Sequence, residues 1–198
     1  MSSAVYQQDS AHNDSGTSHN ENNSLLWRYQ PRRLPAESIR DAMLTVSGQL
    51  DKTQFGPGTL SQGQKRRSIY FTVKRSRLIP MMQIFDAPEP LVSVGRRPTT
   101  TIASQALTFM NSPHVRSYAA GLADRCEAPA IEESIGNVYR TALSRAADAD
   151  ELEVAGEFIA TQVSSYIDDG QSESEARRLA MTDFCQTVLS LNEFVFVE

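Results

Sequence analysis

From Thr101 to Leu191 apolar residues return every three or four positions, and capping residues cut the run into separate helical lengths. A chain committed to helices over so long a stretch has to bury their apolar stripes against one another, as a bundle. Ser104 stands where it caps a helix over Gln105–Met110. Ser112 followed by Pro113 opens a second helix, whose Val115, Ala119, Leu122 and Cys126 share a face. Ile131, Ile135, Val138, Ala142 and Leu143 mark a third. Asp148 and Glu151 form a D-x-x-E box leading into Leu152, Ala155, Ile159, Val163 and Ile167. Gly170 interrupts, and a last helix from about Ser174 carries Ala180, Phe184, Val188 and Leu191 on one side. Phe194–Val197 closes the chain as a short strand.

The preceding part is punctuated differently. Pro35 suits a first helical turn, Ile39, Met43, Val46 and Leu50 follow at helical spacing, and Gly48 is a natural stop. FGPGTLSQGQ, from Phe55 to Gln64, is a loop. It is not a phosphate cradle, because Gln64 stands where a P-loop needs lysine. The following Ser68–Lys74 alternates, with Ile69, Phe71 and Val73 on one side, which predicts a strand with basic ends. Pro80 opens a short helix through Phe85, and Asp86-Ala-Pro-Glu-Pro then forces extended chain. The expected fold class is mainly α: a helical bundle-like domain with one or two short β-strands and long ordered loops. Residues 24–198 are expected to form a single domain, with a basic loop- and strand-rich half (24–97) and an acidic helical half (98–198). The polar residues 1–23 are expected to lack fixed structure.

The charge follows the same division. The total of −5 resolves into −3 over residues 1–27, +8 over residues 28–97 (thirteen basic against five acidic) and −10 over residues 98–198 (six basic against sixteen acidic). Halves of opposite sign are expected to face each other before they face an outside polyanion. Arg32, Arg33, Glu37, Arg40 and Asp41 are candidates for structural ion pairs around the first long helix. Arg67, Arg75, Arg96 and Arg97, with Asp86, are the candidate anion site, although pinning a long loop to Asp86 explains the adjacent Arg96 and Arg97 equally well. Lys65, Arg66, Arg67, Lys74, Arg75 and Arg77 around Tyr70 have the composition of a single-strand nucleic-acid platform. The segment has no recognition-helix or aromatic-sheet motif and sits in an acidic chain, so nucleic acid is not the favoured partner.

No catalytic constellation is present in the sequence. There is no G-x-S-x-G, and a cysteine nucleophile has only His114 to draw on outside the N-terminal segment. His12 and His19 lie in the polar segment without a supporting carboxylate or cysteine on a rigid element, so no metal site is assigned. Cys126 and Cys185 sit on apolar faces and read as small buried hydrophobes. Two cysteines exclude a disulfide framework and a four-cysteine zinc site, and no C-x-x-C-H occurs for a covalently held haem. No run approaches the roughly 20 apolar residues of a membrane span, and the opening lacks a secretory pattern, which by itself leaves the cytoplasm as the default location.

Five separated blocks nevertheless resemble one family: NSLLWRYQPRRLPAESIRDAMLTVSGQLD, then GPG, then RRSIYFTVKRSR with FDAPEP, then RRPTTTIASQALTFMNSP, and finally DFCQTVLSLNEFVFVE. They are similar to the planctomycete domain of unknown function that ends large proteins containing cytochrome-c-like regions. The matching positions include Arg32, Arg33, Glu37, Arg40, Asp41 and Gly48, then Arg67, Tyr70, Arg75, Asp86, Pro88, Arg96 and Arg97. In the helical half they are Gln105, Ala106, Leu107, Asn111, Asn192, Glu193 and Phe194. Ala103 and Ser104 depart from the family's proline before the QAL block. The resemblance implies a carboxy-terminal module with no established reaction and no cofactor of its own, haem c belonging to an upstream region of longer relatives. It also implies upstream domains or a related protein as partners, and an extracytoplasmic or periplasmic setting for those relatives. Met1 falls inside the family pattern, so the chain is expected to be a truncated carboxy-terminal portion, with apolar surface showing at Leu25, Leu26 and Trp27. The two expectations for function are a non-catalytic structural or interaction module, or part of a composite site for an acidic or sulfated carbohydrate.

Overall fold

Helix α8 (Glu173–Leu189) lies against both α5 (Pro113–Cys126) and α7 (Ala149–Asp168), so it is buried on more than one face. Ala180, Cys185 and Leu189 have no exposed surface, and Thr182, beside them, has almost none. The small Ala176 and Ala180 allow the neighbouring helices to come close. The computed structural model describes residues 3–4, 7–11, 13–20, 22–91 and 93–197. Around this centre the chain adds α4 (Ala103–Asn111), α6 (Ile131–Leu143) and α9 (Asn192–Val195). At one end stand α2 (Ala36–Val46) and α3 (Pro80–Ile84), with Ile39, Met43 and Leu44 of α2 fully buried. Phe85 and Phe109 meet there with ring centroids 5.2 Å apart, which joins α3 to α4. The fold is mainly α, as the helical periodicity predicts.

Local signals set most of these boundaries. Ser112 takes the extended N-cap conformation and Pro113 the first turn of α5, although the Ser112 hydroxyl makes no capping bond. Before α7 the Asp148 carboxylate accepts from the Glu151 N–H (2.7 Å) while Glu151 accepts from the Asp148 N–H (2.9 Å), a reciprocal capping box. Gly48 ends the α2 region at φ +70°, a conformation that strains any residue with a Cβ. The cap of α8 is Ser172, two residues before the expected start. Both cysteines are buried, and burial pushes both thiols up, so they pack as apolar groups.

The expected strand over Ser68–Lys74 is corrected. Ser68–Tyr70 is a 3₁₀ turn, and only isolated bridges join Thr59 to Phe71 and Lys74 to Arg77. The Ser68 N–H and hydroxyl both donate to Asp41 Oδ1 (2.7 Å each), which curls the backbone before a ladder can form. Ile69 and Val73, expected to share a side with Phe71, are 75% and 77% exposed, whereas Phe71 is half-buried. Gly58 passes this turn so closely that a Cβ would lie 2.7 Å from Thr72 Oγ1 and 3.1 Å from the Tyr70 carbonyl. The strands that do form are β1 (Arg32–Arg33) and β2 (Phe196–Val197), antiparallel, with Arg32 opposite Val197 and Arg33 opposite Phe196. They tie the chain end to the approach into α2.

The segment 1–23 carries the short helix α1 (Asp14–His19), capped by Asn13 Oδ1 on the N–H groups of Ser15 and Gly16. Gly16 lies against the half-buried Trp27 ring, whose Nε1 donates to the Asn20 carbonyl (2.9 Å). Leu25 and Leu26 beside it are exposed. His19 Nδ1 lies 2.8 Å from the Ser15 carbonyl, and His12 falls outside the described residues.

Arg145, just after α6, clamps the far end of the bundle. It meets both carboxylate oxygens of Glu151 and both of Glu193 at 2.6–2.8 Å and stacks on Tyr139 at 5.3 Å. Hydrogen bonds from Arg145 hold the Glu151 carboxyl at about 2, below its ordinary 4.5. A depressed folded-state value means that the Glu151 contribution is fully present above pH 4.5 and is lost as pH falls toward 2. Arg145→Met is therefore expected to lower stability at neutral pH and to flatten the fall of stability in that acidic window, both read by urea unfolding.

Candidate functional site

The site grows from adjacent residues of α2 that face opposite duties. Arg40 has no exposed surface. Its Nη1 donates to the Arg66 carbonyl (3.0 Å) and to Ser68 Oγ (3.1 Å), its Nη2 donates to the Gln64 carbonyl, and the guanidinium lies 4.7 Å from the Phe71 ring centroid. Burial pushes its pKa down, and Tyr118 and Asp41 push the other way. Asp41, the next residue, takes the two Ser68 bonds and lies 3.5 Å from Arg67 Nε. Together the pair fastens residues 64–71 alongside α2, as one wall.

The opposite wall is the chain after α3. Asp86, at φ +61°, accepts from Arg33 Nη2 (2.6 Å), from the Thr100 N–H (2.8 Å) and from the Thr100 hydroxyl (2.8 Å). Burial raises its pKa, but the bonds from Thr100 and Arg33 outweigh that and leave the carboxyl below its usual range. Gln105 reaches the carbonyls of Ile84 (3.0 Å) and Thr100 (3.1 Å), so the intervening loop is held at both ends. Within that loop Arg97 Nη1 turns back to both oxygens of Glu37 on α2 (2.9 and 3.1 Å).

Between the walls is a cleft of about 780 Å³. Ala42, Leu50, Phe71, Ile79, Met82 and Ala87 supply its apolar lining. Glu37, Asp41, Arg67 and Arg97 line it as pairs, and Ile69, Val73, Lys74 and Arg77 stand along its lip. Of the five candidate anion-site residues, Arg67 and Arg97 therefore reach the cleft, each already on a carboxylate. Asp86 turns to Arg33 and Thr100, while Arg75 and Arg96 are exposed and do not line it. The loop pinning considered for Asp86 is real, but Thr100 rather than Arg96 or Arg97 is the partner. Of the candidate ion-pair residues, Arg33 pairs with Asp86, Glu37 with Arg97, and Arg40 stands 3.6 Å from Asp41. Arg32 stacks on Tyr29 at 5.7 Å.

The expectation that the basic and acidic halves neutralise each other is corrected. Among the described residues the ion pairs stay within each half: Arg33, Arg67 and Arg97 on Asp86, Asp41 and Glu37, and Arg116, Arg145, Arg177 and Arg178 on acids of the helical half. The five acids of residues 28–97 are few, but three of them stand within reach of arginines of their own half. The halves meet instead through apolar packing and side-chain bonds to backbone carbonyls. Arg125 donates to the Thr45 and Val46 carbonyls (3.0 Å each) at the C-terminus of α2, and Gln49 Nε2 donates to the Ser117 carbonyl (2.7 Å). His114, in the first turn of α5, is half-buried beside Gly63. Among the described residues no cluster of three His, Cys, Asp or Glu is placed to hold a metal ion, and no helix is long and apolar enough to cross a membrane.

Sequence reasoning missed the lip, since it counted Lys74 and Arg77 as strand ends. The usable signal was the K-R-S-R run itself, four residues with turn character and three charges. Arg40→Met is expected to cost about 3 kcal/mol, because it strips the Gln64 and Arg66 carbonyls of their donor. Denaturant unfolding checks the magnitude, and hydrogen exchange should rise first over residues 64–71.

Among known proteins, a family model described as PSD1, protein of unknown function (DUF1553), matches residues 1–159, which include every residue of the cleft. No curated protein and no solved structure matches.

Proposed function

This chain belongs to the PSD1 family of unknown function (DUF1553), and we propose that it serves as a non-catalytic structural and interaction module that receives a partner in the cleft beside α2. One observation carries this reading: the charged residues along α2 and the loops facing it, Glu37, Asp41, Arg67 and Arg97, are committed to each other. Arg97 sits on Glu37, and Asp41 is shared between Ser68 and Arg67, so these carboxylates are tied to fixed donors. Apolar lining and the exposed Ile69 and Val73 remain for contact. Such a surface suits complementary packing, because burial of apolar area is the main favourable term in association.

The reading extends to context. In longer relatives the module would accompany a c-type cytochrome-like region of an extracytoplasmic protein, with haem on that region and no cofactor in this chain. That region is then the first partner to try. A second reading, part of a composite site for an acidic or sulfated carbohydrate, is favoured by one feature: among the described residues Lys74 and Arg77 make no ion pair at the lip.

Titrating the isotope-labelled chain with the cytochrome-like region of a longer relative is expected to move the amide signals of Ile69, Val73 and Arg97. Shifts confined to surfaces away from the cleft, or none, would overturn the reading. Shifts at the same amides with a sulfated oligosaccharide alone would favour the second.

A further inference from the structure

We infer that the cleft takes an extended, acidic segment of a partner protein, which sets apolar side chains into the lining and carboxylates onto the turn Lys74–Arg77. This rests on the interaction-module reading above and adds the chemistry of the occupant.

Three features of the site lead there. The first is charge. The turn is closed by the Arg77 N–H donating to the Lys74 carbonyl (3.0 Å), and it gathers Lys74, Arg75 and Arg77 within four residues. All three side chains are exposed, and none is ion-paired among the described residues. The cleft's own carboxylates do not serve them, since Glu37 is taken by Arg97 and Asp41 by Ser68 and Arg67. Two unpaired cations on the lip of an apolar groove, Lys74 and Arg77, with Arg75 beside them in the same turn, are complementary to carboxylates on an incoming chain, and such charges act mainly on encounter and specificity. The exception is Glu89, an exposed acid on the other wall. It sets a direction, with the acidic part of the segment toward Lys74–Arg77 and away from Glu89.

The second feature is the apolar surface. Ile69 and Val73 are among the most exposed large hydrophobic residues of the chain, and both stand at the lip, continuous with Phe71, Ile79 and Met82 beneath. The volume falls within the roughly 300–1,000 Å³ of ligand clefts, enough for a few side chains.

The third is the form of the wall. Of this stretch Glu89, Pro90 and Arg97 line the cleft; from Glu89 to Pro98 the described residues donate no backbone–backbone hydrogen bond, Pro90 and Pro98 having no N–H to give, and residues 93–100 are exposed throughout. An extended peptide can satisfy its own N–H and C=O groups against such a stretch, as in strand addition, whereas a lipid tail or a simple organic acid has no main chain to offer.

The test uses the full chain and a panel of short fluorescein-labelled peptides that carry Phe and Leu among Asp and Glu. A matched panel has Lys and Arg in place of the acids. Fluorescence anisotropy is expected to show binding of the acidic panel only. Lys74→Glu with Arg77→Glu should weaken that binding by on the order of tenfold and bring the basic panel on. Ile69→Glu with Val73→Glu should abolish it, and since all four side chains are exposed, circular dichroism should stay unchanged. Glu37→Gln, which frees Arg97, should tighten it. Equal binding of both panels, lost in the Ile69/Val73 variant, overturns the acidic occupant and leaves the interaction module standing. Binding that ignores every cleft variant, or no peptide binding at all, overturns the occupant and the cleft reading together. Heparin fragments or single-stranded DNA binding in place of peptide, with the same dependence on Lys74 and Arg77, overturns the peptide in favour of that polyanion.

Discussion

Arg40 carries a full charge with no exposed surface, and desolvating a guanidinium costs several kcal/mol unless its donors find acceptors. Its two Nη groups find them in the carbonyls of Gln64 and Arg66 and in Ser68, with Phe71 stacked on the plane, all contributed by one loop, while Nε is left without a partner. The loop has no regular structure of its own to place it, since Ser68–Tyr70 is only a 3₁₀ turn and its bridges are isolated; besides Arg40 it is held by the two Ser68 bonds to Asp41 and by bonds to residues 51–59. Arg40 and the loop are therefore mutually required: the loop solves the solvation of Arg40, and Arg40 sets where the loop runs. One wall of the cleft, the exposure of Ile69 and the position of the Lys74–Arg77 lip all follow from that arrangement.

The same device recurs where the chain lacks regular structure. Asp86 collects Arg33 and Thr100, and so fixes both the approach into α2 and the far end of the loop after α3. Arg145 does so at the other pole, between Glu151 at the start of α7 and Glu193 at the start of α9. At the partly exposed edge of the bundle Arg116 meets Asp183, which also accepts from Tyr166 (2.7 Å), so α5, α7 and α8 share one polar network. Charged groups with several fixed partners do what a sheet would do elsewhere: they specify the relative positions of elements that apolar packing alone leaves free to slide.

The helical half was legible because its signals are local. Pro113 and the Asp148–Glu151 box act on the next few residues, as Gly48 does after α2 in the other half, and the structure puts the boundaries within one or two residues of them. α8 was legible as a helix but not as the central one. Ala180, Phe184 and Val188 do point inward, but so do Met181, Thr182, Cys185 and Leu189, while Leu191, read as part of the stripe, is 36% exposed at the chain's exit. A helix enclosed by neighbours loses the one-sided pattern on which such readings depend. Ser68–Lys74 misled for the complementary reason: alternation announces a strand only if a partner strand exists, and here the side chain of Asp41 captured the backbone first.

By itself the sequence determined the mainly helical class and most of the places where the longer helices begin and stop, since hydrophobic period, caps and glycines work through bonds of a few residues' reach; it did not foresee α1, or that Asn192–Val195 is helix and only Phe196–Val197 strand. It also narrowed the charged residues worth following: Arg33, Glu37, Arg40, Asp41, Asp86 and Arg97 all take part in the walls of the site. Only the tertiary structure decided who pairs with whom. Glu37 meets Arg97 sixty residues along, and Arg33 meets Asp86 across fifty-three, while Arg75 and Arg96, equal candidates by composition, are left at the surface. Nothing in a pair of distant charges fixes their meeting. Their partners are chosen by how the apolar faces of α2, α3 and α5 come together, and the ionic bonds form between whatever those contacts bring within reach.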